Sequence, residues 1–299
     1  MQSKLISESE IQEMLQFTSV SHAAAWLKRT PEYAKAWADL DENSLHRGQI
    51  EKLLKASIFK DFSKIYQFAN PEQRKFLDLY SRRYEIRVLK EIMTNLFDHK
   101  STDAVDVSPY CDFFRRHSKL DLDRLTACTT MDEFINTLKG NEFYVPLSRI
   151  QNHDTALLFD YGMALDLYYF SMIWNVRKKL FSGKDLEQIT TAYGEKFDML
   201  NLQFISRSKR YFSMAPADIY ALLIPMNYKL KKEEITALVE ASTREEAQQI
   251  FRKTYYGKKY DHLSAHNLEE FYNYMLRTTL EKASRKDPYS VAMLYSYMY

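Results

Sequence analysis

Glycine and proline are scarce in this chain, which has only six and seven of them among its 299 residues. Turn-rich β architectures depend on both residues, so their scarcity excludes such folds and indicates long helices. Strict alternation of apolar and polar residues is also missing. Apolar residues instead recur at helical spacing, for example at Ile11, Met14 and Leu15. The sequence therefore predicts an all-α protein.

The chain also lacks the features of secreted, membrane-spanning and nucleic-acid-binding proteins. Its 42 basic and 40 acidic residues nearly cancel, and they form no clustered basic face. The most apolar stretch, Phe159 to Trp174, is too short to span a bilayer and carries Asp160 and Asp166. The N-terminus is polar and amphipathic, unlike a signal peptide, and Cys111 and Cys128 have no metal-type spacing. We expect a soluble, cytoplasmic chain with two reduced cysteines.

Catalytic signatures are absent too. The chain has neither the G-x-x-x-x-G-K-[ST] phosphate loop nor the G-x-S-x-G nucleophile elbow. His262 and His266 have a spacing that could bind a metal on a helix. However, Asn267 and Glu270 have the spacing of a capping box, which places His262 before the helix begins. We predict no catalytic residue, no cofactor and no metal site, and therefore no enzyme.

What the chain does contain is repetition. The segment "YSRRYEIRVLKEI", which begins at Tyr80, returns 113 residues later as "YGEKFDMLNLQFI", which begins at Tyr193. The two segments align without a gap and place Glu85 opposite Asp198. An ion pair with a neighbouring repeat would make these two carboxylates structural, and no catalytic constellation surrounds them.

A second pattern extends the repetition to three copies. Ser19, Thr130 and Thr243 are predicted helix caps, and apolar residues stand in register eight and five positions before them and four and eight after. These columns are Ile11, Leu122, Ile235; Met14, Leu125, Leu238; Ala23, Phe134, Ala247; and Leu27, Leu138, Phe251. We predict three homologous lobes over residues 1–105, 106–214 and 215–299. The third is incomplete, because a third counterpart of Tyr80 is expected near position 306, beyond Tyr299.

Three phrases in this helical, triplicated chain are similar to those of a known family. They are "YSRRYEIRVLKEIM", "LLIPMNYKLKKEEITALVEA" and the terminal "PYSVAMLYSYMY". Together they resemble the C subunit of A-type and V-type ATPases, the relative of the d subunit of the eukaryotic vacuolar ATPase. The resemblance runs along most of the chain. It departs from the family at the end, because the further helix that follows the tyrosine-rich segment in that family is missing here.

The resemblance implies a fold and a role. The fold would be a funnel of three helical lobes around a pseudo-threefold axis, with the third lobe truncated. The role would be to couple the central-stalk shaft to the membrane proteolipid ring during ATP-driven or ATP-synthesising proton or sodium transport, without chemistry of its own. The partners would be central-stalk subunits and that ring. The chain would lie in the cytoplasm, peripheral to the membrane, with no nucleic acid and no membrane insertion.

The repeated segment supplies the candidate contact residues for the stalk or the ring. They are Tyr80, Arg83 and Arg87 in the first copy and Tyr193 and Lys196 in the second. If the helix lines a funnel, its cations could meet acidic groups of the stalk, and tyrosine and arginine are frequent interface anchors. The alternative for each cation is a solvated helix face, and for each tyrosine a closed helix seam. The alternative for the whole chain is an all-helical repeat adaptor that binds another soluble protein.

Overall fold

A computed structural model describes residues 6–34, 37–38, 40–41, 44–98, 107–151, 156–259, 268–287 and 289–298. Within these ranges 77% of the residues are helical and none forms a strand, which confirms the all-α prediction. The helices are α1 Glu8–Met14, α2 Val20–Arg29, α3 Pro31–Ala34, α4 Arg47–Phe68, α5 Pro71–Phe97, α6 Cys111–His117, α7 Leu122–Thr126, α8 Met131–Thr137, α9 Tyr144–Gln151, α10 Leu158–Leu180, α11 Gly183–Tyr211, α12 Pro216–Leu222, α13 Lys232–Glu240, α14 Arg244–Lys253, α15 Tyr255–Lys259, α16 Leu268–Lys286 and α17 Val291–Met298.

The three predicted caps are confirmed. Ser19, Thr130 and Thr243 stand at the N-caps of α2, α8 and α14, and each hydroxyl accepts a hydrogen bond from the backbone N–H three residues on. Ser7 likewise forms a capping box with Glu10 at the start of α1. Because a cap involves only neighbouring residues, its spacing can be read without knowledge of the tertiary fold.

Three of the few prolines stand at helix starts. Pro31, Pro71 and Pro216 are the first residues of α3, α5 and α12, where the missing N–H of proline costs nothing. Asp121 caps α7, where its side chain accepts a hydrogen bond from the Arg124 N–H. The proposed cap and histidine pair around residues 262–267 lie outside the described residues.

The chain divides into two compact units. The first comprises Met1–Phe68 with Asp106–Ser118 and contains α1 to α4 and α6. One part of its core is formed by Ala24, Leu27, Trp37 and Ile50. Another is aromatic, because the Phe59 and Phe62 rings of α4 pack at 5.0 and 5.1 Å from the Phe113 ring of α6.

The second unit comprises Ala69–Val105 with Lys119–Tyr299 and contains the other helices. Its long helices pack in succession: α5 contacts α10, α10 contacts α11, α11 contacts α16, and α16 contacts α17. The short helix α17 also contacts α5 and α11. Helices α5, α11 and α16 therefore all meet at α17. The arrangement of three lobes as a funnel, and their boundaries at residues 105 and 214, stay predictions.

The matched apolar columns of the repeat are buried most completely in its second and third copies. Leu125, Phe134 and Leu238, for example, are at most 5% exposed, whereas Ile11 in the first copy is 43% exposed. No helix in the described ranges combines the length and apolar character needed to cross a bilayer.

Candidate functional site

All five predicted contact residues lie in the second unit, on α5 and α11. There they meet tyrosines of α10 and α17 in one group, which we call the tyrosine cluster. It comprises Tyr80, Tyr84, Tyr169, Tyr193 and Tyr295. The two copies of the repeated segment thus come together through side chains of other helices, because α10 and α17 each pack against both α5 and α11.

Tyr80 and Tyr193 lie inside the cluster, only 1% and 0% exposed. The ring of Tyr295 joins them: it stacks on Tyr193 at 5.1 Å between centroids and meets Tyr80 edge-on at 5.8 Å. Burial raises the pKa of both phenols, so both stay protonated and neutral at physiological pH. Because both side chains are buried here, neither can contact a partner directly. Each contributes to the site through the residues that it packs against.

Arg83 is half-buried against the cluster. Its Nη1 donates to the Tyr80 hydroxyl at 2.5 Å, and the Tyr80 hydroxyl in turn donates to the Met298 carbonyl at 2.8 Å. The guanidinium carbon lies 4.9 and 5.8 Å from the centroids of the Tyr80 and Tyr84 rings. These are neutral partners, and no carboxylate of the described residues forms an ion pair with Arg83.

Lys196 is half-buried beside Arg83, on the second copy of the segment. Its Nζ lies 5.8 Å from the centroid of the Tyr193 ring. Burial, and then the positive charge of Arg83, lower the pKa of Lys196 to about 7, while Asp166 opposes that shift. Near neutral pH the amine is therefore divided between its charged and neutral forms, which is unusual for lysine.

Asp166 of α10 is the acidic residue that acts on Lys196, and it already forms an ion pair with another lysine. Lys90 of α5 pairs with it at 2.6 Å, with side chains 33% and 42% exposed. Arg87 lies one helical turn after Arg83 and is exposed. The site therefore holds three basic side chains without an ion-pair partner among the described residues, and it suits electrostatic recognition of an anion rather than bond-making chemistry.

The two carboxylates that the repeat aligns are structural. Glu85 is 1% exposed and accepts two hydrogen bonds of 3.0 Å from Arg82, whose Nε also bonds Glu142 at 2.8 Å. Asp198 is fully buried and holds a turn of the chain in place. Its Oδ1 accepts from the Tyr228 N–H at 3.0 Å, and its Oδ2 accepts from three further donors: the N–H groups of Lys229 at 2.6 Å and Leu230 at 2.9 Å, and the Tyr256 hydroxyl at 2.6 Å.

Sequence reasoning missed several residues of this region. Tyr169 and Tyr295 belong to the cluster but stand outside the repeated segment. Asn201 was also missed: it exchanges hydrogen bonds of 3.0 and 2.8 Å with the backbone of Ile224. A signal existed for Asn201, because a polar residue three positions after Asp198 interrupts the apolar face of α11.

The described part of the chain contains no group of histidine, cysteine, aspartate and glutamate that could hold a metal ion. Cys111 is half-buried and Cys128 buried, and both are free thiols.

Comparison with known proteins supports the family resemblance that the sequence shows. A family model described as "ATP synthase (C/AC39) subunit" matches residues 1–299. The chain is also similar to the C subunit of the A-type ATP synthase of Methanothermobacter thermautotrophicus, with 21% identity over 243 residues. That alignment covers 80% of this chain and 59% of the relative, so the chain matches well under two thirds of that relative's length.

Proposed function

Because the chain belongs to the ATP synthase (C/AC39) subunit family, we propose that it is a non-catalytic central-stalk subunit of an A/V-type rotary ATPase. In this role it couples the stalk shaft to the membrane proteolipid ring, so that rotation and proton or sodium transport remain linked. The observation that carries the proposal is the match to the family along residues 1–299.

The packing of the second unit supports a mechanical role. A coupler must transmit torque without deforming, and closely packed helices resist deformation because their interiors contain little free volume. The long helices α5, α10, α11 and α16 contact one another in succession. Large rings fill the centre of this packing, where Tyr80, Phe197 and Tyr295 are each at most 1% exposed.

The site supports a role in partner binding. Its cations stand on two different helices, and buried tyrosines fix Arg83 in position. Preorganised side chains of this kind lose less conformational entropy when a partner binds than freely moving surface residues do. In the proposed complex, the chain lies on the cytoplasmic side, peripheral to the membrane.

Binding of the intact chain to separately purified central-stalk subunits and proteolipid ring tests the proposal. We expect it to capture both, at physiological salt and without ATP. Arg285→Gln is a suitable control for a change of surface charge, because this exposed arginine of α16 pairs with Glu281 and is not one of the predicted contact residues. If the chain captures neither component, the coupler proposal fails, and an adaptor for another soluble protein becomes the better explanation.

A further inference from the structure

We propose that Arg83, Arg87 and Lys196 form a binding site for a carboxylate side chain of a partner protein. The inference deepens the proposed function and rests on it for the identity of the partner. The choice of a carboxylate rests on the contacts and charges of the residues at the site.

The first argument is the missing counter-ion. A half-buried guanidinium that has left water without meeting a carboxylate is unfavourable. Arg83 has a phenol and two aromatic rings as its described partners, none of which carries a negative charge. The nearby carboxylate of Asp166 is paired with Lys90 at 2.6 Å. An anion from outside the chain would supply the missing negative charge beside Arg83.

The second argument concerns the kind of anion. Phosphate sites commonly use the free backbone N–H groups at helix N-termini. Arg83, Arg87 and Lys196 instead lie in the interiors of α5 and α11, where the helix itself occupies the backbone donors. Asp166 also faces the site and repels a dianion more strongly than a singly charged carboxylate. A guanidinium fork beside aromatic rings suits a carboxylate and the apolar stem that carries it.

The third argument links binding to protons. The described charged groups that act on the Lys196 amine are Arg83 from α5 and Asp166 from α10. From α17 the cluster receives the neutral Tyr295, and on α16 the Thr279 hydroxyl donates to Glu195 of α11. Because the pKa of free Lys196 is about 7, an added carboxylate raises it and draws a proton onto the amine.

The lowered pKa of Lys196 sets how affinity for the carboxylate depends on pH. Below about pH 7, and down to the ordinary glutamate pKa of about 4.3, the amine is mostly charged and the carboxylate is ionised, so affinity is nearly constant. Above that pH, each binding event must take up a proton, so affinity falls by up to about tenfold per pH unit until the pKa of the occupied site is reached.

The test uses the intact chain and an acetylated pentaglutamate peptide, with a pentaglutamine peptide and inorganic phosphate as comparisons. Binding is followed by nuclear magnetic resonance of lysine labelled with ¹³C at Cε, which also reports the pKa of Lys196. We expect the pentaglutamate peptide to bind, pentaglutamine not to bind, and phosphate to compete poorly. The Lys196 signal should titrate near pH 7 in the free chain and at higher pH with the peptide present.

Three variants and one control make the test specific. Arg87→Gln, on an exposed side chain that does not support the fold, should weaken the peptide about threefold, as for an exposed ion pair. Arg83→Gln should weaken it about tenfold. Lys196→Met lacks the titrating amine. At every pH it should therefore bind the peptide with the weaker affinity that the unchanged chain shows at high pH. Lys282→Gln, an exposed lysine on α16, should change nothing.

Two results would overturn the inference. One is that Arg87→Gln and Lys196→Met bind pentaglutamate as tightly as the unchanged chain. The other is that phosphate binds as well as the peptide, which would indicate a phosphate or lipid headgroup site. The coupler proposal is tested separately by capture of stalk and ring. If the variants bind pentaglutamate as tightly as the unchanged chain while the unchanged chain captures stalk and ring, the carboxylate site fails and the coupler proposal stands. If the peptide binds as expected but the unchanged chain captures neither stalk nor ring, the coupler proposal fails and the carboxylate site stands.

Discussion

Asp198 provides the sharpest test of how the second unit is held together. Its carboxylate accepts four hydrogen bonds: three from the backbone N–H groups of Tyr228, Lys229 and Leu230, and one from the Tyr256 hydroxyl. Burial raises the pKa of Asp198, and these four donors oppose the shift. Substitution by alanine removes all four acceptor interactions at once.

The expected loss of stability depends on which donors can reach water afterwards. Tyr228 and Lys229 are partly or fully exposed, so their N–H groups can be rehydrated. Leu230 and Tyr256 are at most 1% exposed, and each donor left unsatisfied there costs about 1–3 kcal/mol. We therefore expect Asp198→Ala to lower the free energy of unfolding by about 4 kcal/mol. Asp198→Asn keeps one carbonyl acceptor and should lose about half as much.

The assay combines urea unfolding, followed by circular dichroism, with amide hydrogen exchange. Exchange is needed because a chain with two compact units need not unfold in one step. We expect Asp198→Ala to accelerate exchange at residues 228–230 first. The matched control is Asp218→Ala, an exposed carboxylate in the first turn of α12, which should cost only a few tenths of a kcal/mol. Equal losses for both variants would refute the reasoning.

Three further predictions concern other parts of the chain. Gly194→Ala should destabilise it by about 1–3 kcal/mol in urea unfolding, because the new methyl group overlaps the Tyr228 ring, whereas Gly162→Ala, whose methyl group has room, should be neutral or stabilising. Thr243→Ala removes the cap of α14 and should cost about 1 kcal/mol by the same assay; an unchanged midpoint would contradict the assigned cap. Lys196 has a pKa lowered to about 7, so the unfolded chain binds more protons above that pH. The stability of the unchanged chain relative to Lys196→Met should therefore rise from about pH 7 towards the ordinary lysine pKa of about 10.4, and a flat difference would argue against the shift.

The parts of the fold that could be read from the sequence are those set by neighbouring residues. The caps at Ser19, Thr130 and Thr243 each depend on a contact three residues away, and all three are confirmed. Helical periodicity is equally local, which explains why the all-α prediction is confirmed.

The candidate site was less accessible to this reasoning, because it depends on packing between distant segments. Spacing along α5 and α11 identified Tyr80 and Tyr193, but their pattern alone did not reveal that the Tyr295 ring packs against both. Nor could it reveal that Lys196 is half-buried near Arg83, where burial and then the positive charge of Arg83 lower the lysine pKa. Both contacts arise only when α5, α10, α11 and α17 converge.

ATP-driven ion transport in membrane vesicles tests the proposed coupling most directly. Vesicles from cells that lack the chain should hydrolyse ATP without accumulating protons or sodium, and the added intact chain should restore transport in proportion to hydrolysis. Transport at the normal rate in vesicles that lack the chain would contradict the proposal that it couples the stalk to the ring.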